Sequence, residues 1–281
     1  MWRSLLFIPV LEERFIEKAA SRGADAIVLD LEAGVADSRK EEARRAIPVI
    51  VKTLEPEIPV TVRINSLWLP AIEDLTACII PGVQAIHLAQ CESVEHIKAV
   101  DGVVSELEAS RGLSSGSIKL IAMLESAKAV AQAPAIANAS TRLAGLTLGV
   151  EDYATSMGVS ASSDVLDPAA FQVIQAARAN RLAPLVVPAS MADFRDLEAL
   201  ESAARYARAL GSVGGYVVHP AQINILNQVF SPTAEEVRWS QAVIAATEQA
   251  KKEGRSVFEV NGQMIDQPLI ERAARLLQLS Q

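Results

Sequence analysis

The chain has 281 residues, of which 50% are hydrophobic and only 4% aromatic, and it carries a formal net charge of -8. That length allows one large domain or two small ones around an aliphatic core. The acidity argues against a general nucleic-acid binder, although a well-placed arginine can still hold a small anion.

The opening MWRSLLFIPV runs straight into the charged LEERFIEKA, which is not the pattern of a secretory leader. No apolar run reaches the roughly 18 residues of a membrane span. Cys78 and Cys91 have neither metal-binding nor redox spacing and read as reduced thiols. A soluble cytoplasmic protein with no membrane partner is expected.

In chain order, SLLFIPV (4–10) precedes a helix in ERFIEKAASRG, and AIVLDLE (26–32) ends in carboxylates. SRKEEARRAIPVIVKTL supplies a helix before PVTVRIN (59–65), and AIHLAQ (85–90) leads into the amphipathic SVEHIKAVDGVVSELEA. IKLIAMLES (118–126), LAGLTLG (143–149), APLVVPA (183–189) and GYVVHP (215–220) continue the rhythm. Near-continuous hydrophobicity suits parallel strands covered on both faces. Eight of them over about 220 residues predict an α/β fold, a (β/α)8 TIM barrel, with a doubly wound open sheet as the alternative.

The barrel domain is placed at residues 1–228, and residues 229–281 are expected to form a helical extension. There Ser231-Pro232 opens a helix with Glu235 and Glu236 in its first turn. VNGQMIDQPLIERAARLLQLSQ adds a polar turn and a short amphipathic helix, suited to a lid or an oligomer contact.

Asp30, Glu32, Arg63, Asn65, Gln90, Glu125, Glu151, Asp152 and His219 all fall at or just beyond the C-terminal ends of predicted strands. That is the rim on which such barrels build their sites. Glu125 and Asp152 follow neighbouring strands, and two hard oxygen ligands suit Mg²⁺ better than zinc in a chain without a His/Cys cluster. The plainer alternative pairs Glu125 with Lys128 and lets Asp152 cap a helix. Arg63 offers a planar donor fork for a carboxylate or a developing enolate, unless it only pairs with Asp30 or Glu32. His219 invites assignment as a general base or a substrate-binding group, but HP followed by AQI is also a good strand-to-helix turn. Gly211, Gly214 and Gly215 lack the context of a dinucleotide fingerprint.

Taken together, RSLLFIPV, GADAIVLDLEAGV with Lys40 and Ala43-Arg44, VRIN, MLES, LGVEDYATSMG, VVHPAQI and NGQMID resemble the citrate lyase beta-subunit and malyl-CoA lyase family, in order over residues 3–276. The resemblance implies a (β/α)8 barrel that cleaves or forms a carbon–carbon bond in 3-hydroxyacyl-CoA thioesters, giving acetyl-CoA and a 2-oxo acid. It implies Glu125 and Asp152 as Mg²⁺ ligands and Arg63 on substrate oxygen. Arg3 and Ser4 would lie on the CoA side, and Asp266 would reach the site of a neighbouring subunit in a homotrimer or higher homo-oligomer. Glu32 is expected to orient Arg63 or a metal-bound water. Ala33 in DLEAG, Ala89-Gln90 and the segment at Pro188 depart from the family pattern. An Mg²⁺-dependent aldolase of free acids and a noncatalytic CoA-binding or organic-acid-binding relative are the other classes the residues admit.

Overall fold

The structure, a computed structural model, describes residues 2–190 and 194–279. Each of the eight apolar runs contains a strand: β1 (Ser4–Pro9), β2 (Ala26–Asp30), β3 (Val60–Ile64), β4 (Val83–Leu88), β5 (Lys119–Leu124), β6 (Leu143–Leu148), β7 (Ala183–Pro184) and β8 (Gly215–Val217). They pair in the order β7-β6-β5-β4-β3-β2-β1-β8, every neighbour parallel, in a TIM-like curled sheet with helices between the strands.

No ladder joins β7 to β8 among the described residues. The two edges meet instead through Ser212 and Val213. Val213 N–H donates to the Pro184 carbonyl at 3.0 Å, and Ser212 Oγ accepts the Val186 N–H at 3.1 Å. The same hydroxyl lies 2.9 Å from the Pro184 carbonyl and 2.8 Å from that of Val186. The predicted strand over 183–189 is therefore regular only at its start. Beyond Pro184 the Val186 N–H goes to Ser212, and Pro188 has no N–H to give, so the ladder does not continue. Gly214 is required here because a Cβ would collide with the Trp2 carbonyl.

Side chains on a strand alternate between its two faces, and the alternation sorts two cores. Leu5, Ala26, Val28, Ala85, Ile121, Leu185 and Tyr216 pack inside the ring, with Phe7 against them. The opposite faces, including Ile27, Leu29, Val62, Ile86, Leu120 and Leu146, form a larger layer beneath the helices. The helix Lys40–Leu54 shows how that layer is made: Ala43, Ile47, Ile50, Val51 and Leu54 recur at helical spacing and are buried, while Glu41, Glu42, Arg45 and Lys52 face water.

Below the N-terminal ends of β5 and β6, Arg142 ties the helix Val94–Ser110 to the sheet. It donates to Glu108 (2.9 Å), Asp101 (2.7 Å), Ser105 (2.8 Å) and the Ile118 carbonyl (2.9 Å). Glu108 is 1% exposed and also accepts the Gly116 and Ile118 N–H groups. Removing one partner of such a pair strands a buried charge and costs about 3–5 kcal/mol. Arg142→Leu is accordingly expected to lose about that much in urea unfolding, at the end of the barrel remote from the carboxylate rim.

The chain from Ser231 onward forms a second compact unit. Its helix Ala234–Lys252 starts two residues past the predicted Ser231-Pro232. Thr233 is the cap: its hydroxyl accepts the Glu236 N–H at 3.1 Å, and Glu236 accepts the Thr233 N–H at 2.8 Å. The polar turn at 260–263 is the tip of an antiparallel hairpin, β9 (Phe258–Val260) and β10 (Gln263–Ile265). Asn261 and Gly262 both adopt positive φ, as the tight hairpin turn of an Asn-Gly pair requires. Val243, Ala250, Phe258, Val260, Ile265 and Ala273 make this unit's own core with the helix Gln267–Leu279. Among the described residues, no helix is long and apolar enough to cross a membrane.

Candidate functional site

Parallel register places Asp30, the last residue of β2, beside Arg63 on β3. Both side chains turn into the ring at its C-terminal end, where Arg63 grips Asp30 with both prongs, Nε to Oδ1 at 2.8 Å and Nη2 to Oδ2 at 2.7 Å. Its Nη1 lies 3.2 Å from Glu32, and the guanidinium rests 4.6 Å above the Phe7 ring. Burial alone lowers the pKa of Arg63, but the hydrogen bonds and charges of Asp30, with Glu32 and Glu125, outweigh it and raise the value. The ion pair with Asp30 is thus real, and it fixes the arginine in the site rather than removing it.

Asp30 is saturated. Oδ1 also accepts the Glu32 N–H (2.9 Å) and Oδ2 the Gly34 N–H (2.7 Å). A Cβ at residue 34 would sit 2.6 Å from Oδ2, so the glycine of DLEAG is what lets the loop fold onto the carboxylate. Lys40 spends its three donors on the carbonyls of Leu31 (2.7 Å) and Glu32 (2.5 Å) and on Asn65 Oδ1 (2.8 Å). Asn65 is held in turn by the buried Asp74. These residues of the sequence pattern build the rim around Arg63, which itself lines a chamber.

Glu125 follows β5 and is 7% exposed. Its Oε2 accepts the Gln90 N–H at 2.9 Å, which Gln90 presents from a left-handed conformation (φ 48°). Gly149 admits the side chain, since a Cβ there would stand 2.5 Å from Glu125 Cγ. Burial pushes the Glu125 pKa up to about 7, with Asp152 and Glu32 adding to the rise against Gln90 and Arg63. Lys128 is not its partner; that lysine pairs with Glu92 at 2.9 Å. Asp152 stands in the first turn of the helix Val150–Ser156, next to Glu151, which bonds Ser190.

Glu125, Asp152 and Arg63 line one chamber of about 150 Å³. Across Arg63 and Phe7 lies a second space, a largely apolar groove of about 660 Å³ bordered by Ile8, Phe15, Ala33 and His219. Among the described residues, no three His, Cys, Asp or Glu side chains gather as a metal cage. A pair of carboxylates, one of them buried at a raised pKa, nevertheless suits Mg²⁺, which binds through one or two carboxylates and keeps several waters.

Sequence reasoning overlooked the floor. Tyr216 stacks on Phe7 (centroids 5.1 Å apart) and its hydroxyl lies 2.8 Å from His87 Nδ1. His87 Nε2 lies 2.8 Å from Thr61 Oγ1, which donates to the Ile27 carbonyl at 2.8 Å. Because the threonine proton is committed, His87 donates from Nε2 and accepts the tyrosine proton at Nδ1. Burial, with Arg63's charge, lowers the His87 pKa to about 3, so the ring is neutral. A lone histidine in an apolar strand reads as core, and only its inward register, shared with Thr61 and Arg63, hinted at this role.

Two candidates belong elsewhere. Arg3 and Ser4 stand at the N-terminal end of β1, the opposite rim from Glu125 and Asp152. Arg3 forks onto Asp25 (2.8 and 2.7 Å), the residue before β2, while Ser4 Oγ donates to Asn227 at 2.7 Å. A residue that precedes a strand of a parallel barrel cannot share a rim with residues that follow one, which corrects their assignment to the ligand. His219 does border the groove, stacked on Phe194 at 5.1 Å, and its Nδ1 accepts the Ala221 N–H at 3.2 Å to cap the turn Pro220–Gln222. Asp266 lies in the second unit between β10 and the last helix, whose Leu269 and Ile270 N–H groups its carbonyl accepts.

Comparison with known proteins matches residues 3–220 to the family model described as HpcH/HpaI aldolase/citrate lyase. The citrate lyase subunit beta of Leuconostoc mesenteroides is 32% identical over 282 residues, 99% of this chain and 93% of the relative. The mitochondrial citramalyl-CoA lyase of Rattus norvegicus is 32% identical over 297 residues, covering 99% and 86%. Among solved structures, CitE from Mycobacterium tuberculosis in complex with magnesium, acetoacetate and coenzyme A superposes with a TM-score of 0.73 at 28% identity, over 99% of this chain and 97% of that one.

Proposed function

This chain belongs to the HpcH/HpaI aldolase/citrate lyase family, a family of carbon–carbon lyases, and on that premise we propose that it cleaves a 3-hydroxyacyl-CoA of the malyl-CoA or citramalyl-CoA type to acetyl-CoA and a 2-oxo acid. The observation that carries this reading is the shared wall. Arg63 and Phe7 separate a small chamber with two carboxylates from a groove large enough for the arm of a thioester. A free hydroxy acid would leave that groove without a purpose, which favours the thioester over the free-acid aldolase.

Glu125 and Asp152 would hold Mg²⁺, which when bound draws electron density from the oxygens of the 2-oxo acid portion. The reaction is a retro-aldol cleavage. A carboxylate takes the proton of the substrate's 3-hydroxyl, the oxygen's electrons form the new carbonyl, and the C–C bonding pair passes into the thioester enolate. Arg63, held by Asp30 and backed by Glu32, meets the developing negative charge without having to reorganise. Asp266 of a neighbouring copy is proposed to protonate the enolate carbon, which makes a homotrimer or higher assembly part of the catalyst. His219 is proposed to contact the acyl-CoA. A cytoplasmic setting agrees with the CoA substrate.

The reading is tested by following 2-oxo acid release from malyl-, citramalyl- and citryl-CoA, with Mg²⁺ and with a chelator. Cleavage that stops on chelation is expected; no turnover of any thioester by folded protein would overturn it.

Glu125 also predicts a pH signature. Its folded pKa, about 7, lies above the ordinary 4.5, so the metal-free protein binds that proton more tightly than the unfolded chain does. Stability from this group is present below pH 4.5 and is lost as pH rises through 7. A cation must displace the proton, so apparent Mg²⁺ affinity should fall by up to about tenfold for each unit below pH 7. The Mg²⁺-induced rise in Tm should therefore be larger at pH 8 than at pH 6. Equal rises would remove Glu125 from the ligand set.

A further inference from the structure

The chamber beside Glu125 is small and its charges are one-sided. At about 150 Å³ it falls well below the roughly 300–1,000 Å³ of pockets for drug-sized ligands. Among the described residues lining it, Arg63 is the sole cation, and that guanidinium already has two prongs on Asp30 and a third group near Glu32. Glu151 and Asp152 stand on the same lining. Apart from Thr147, whose hydroxyl donates to the Leu185 carbonyl at 2.7 Å, the side chains of the rest of the wall are largely apolar: Met123 and Leu185 are buried, Val187 is half-buried, and Phe7 and Tyr216 close the floor. The tyrosine hydroxyl is turned away onto His87.

A 2-oxo acid shares one carboxylate and one keto oxygen with every other member of its class and differs only in the group on the keto carbon. With the shared atoms directed to Arg63 and to the Mg²⁺ that Glu125 and Asp152 would hold, that group would meet Met123, Leu185 and Val187. A methyl fits such a wall. A second carboxylate would lose its water there with no cation to receive it and with Glu151 and Asp152 nearby.

We infer that Met123, Leu185 and Val187 form the specificity wall of this enzyme, admitting a 2-oxo acid with a short uncharged substituent, pyruvate foremost, and rejecting one with a second carboxylate. The inference rests on the lyase reading for its reaction but not for its binding preference. Citramalyl-CoA is then the preferred thioester and citryl-CoA a poor one.

Calorimetric titration of the Mg²⁺-loaded protein with pyruvate, glyoxylate and oxaloacetate tests this directly. Oxaloacetate should bind about 100-fold more weakly than pyruvate. Glyoxylate, lacking one methyl, should bind about fourfold more weakly. Oxaloacetate within tenfold of pyruvate, or no binding by either, would overturn the assignment.

Turnover of the matching thioesters separates the two readings. Equal cleavage of citryl- and citramalyl-CoA would sink the wall and leave the lyase. Binding in the expected order with no thioester cleaved would sink the lyase and leave the wall. Val187→Lys places a cation on the half-buried member and should narrow the pyruvate-to-oxaloacetate gap by tenfold or more. If that variant does not fold, the ranking on the native protein still decides.

Discussion

Glu125→Gln should lower metal-dependent thioester cleavage by about a thousandfold or more, the loss expected when a metal's own ligand is removed rather than one of its supporters. The amide has the shape of the carboxylate, and its oxygen can still accept the Gln90 N–H, so the rim should keep its form. What disappears is a buried charge. At pH 8 the metal-free variant should therefore melt at a higher temperature than the native protein, because the desolvation that lifts the Glu125 pKa to about 7 no longer opposes folding. Activity lost together with a raised Tm is a combination that damage to the fold cannot produce. A fall in both would show that Glu125 is structural.

Arg63→Lys should be nearly as severe for the reaction and opposite in sign for stability. The guanidinium spans both oxygens of Asp30 while lying flat over Phe7. An ammonium can do neither at once, because it is a compact point charge without the planar fork. Asp30 would keep its two backbone donors but lose half of a buried pairing, at about 1–3 kcal/mol. The fall in kcat/KM should reach about 100-fold or more, as for other donors aimed at developing charge. Steady-state kinetics alongside urea unfolding would check both. Unchanged kcat with only a raised KM would mean that Arg63 binds substrate and takes no part in the bond cleavage.

The rim was legible because polar residues at the ends of apolar runs break a simple rule, and a parallel barrel gathers such breaks at one end. Asp30 ends, Arg63 interrupts and Glu125 directly follows a strand that is otherwise mostly apolar. Tyr216 and His87 were not legible, since their hydrogen bond joins residues 129 positions apart and each alone passes for core. Arg3 was misplaced by resemblance, although its position before β1 already assigned it to the far rim. The hairpin at 258–265 was overlooked although Asn261-Gly262 is a strong short-range signal, because three-residue strands carry too little pattern to register. Strand β7 failed in the other direction: its hydrophobicity is real, but its ladder stops at Pro184, where the Val186 N–H turns to Ser212 and Pro188 has none to offer.

The closure through Ser212 gives the ring a seam. Seven strand junctions are held by regular ladders, and the eighth by one serine hydroxyl and one backbone hydrogen bond. Leu185 and Val187, two of the three residues of the apolar wall, lie along that seam. Amide exchange should open there before it opens elsewhere in the ring, since fewer bonds must break together. A barrel fastened in this way can alter the fit around the variable end of the proposed substrate at one junction while Arg63 and Asp30 stay locked by the β2–β3 ladder away from it, so new substrates can be acquired at the stitch while that clamp keeps its place.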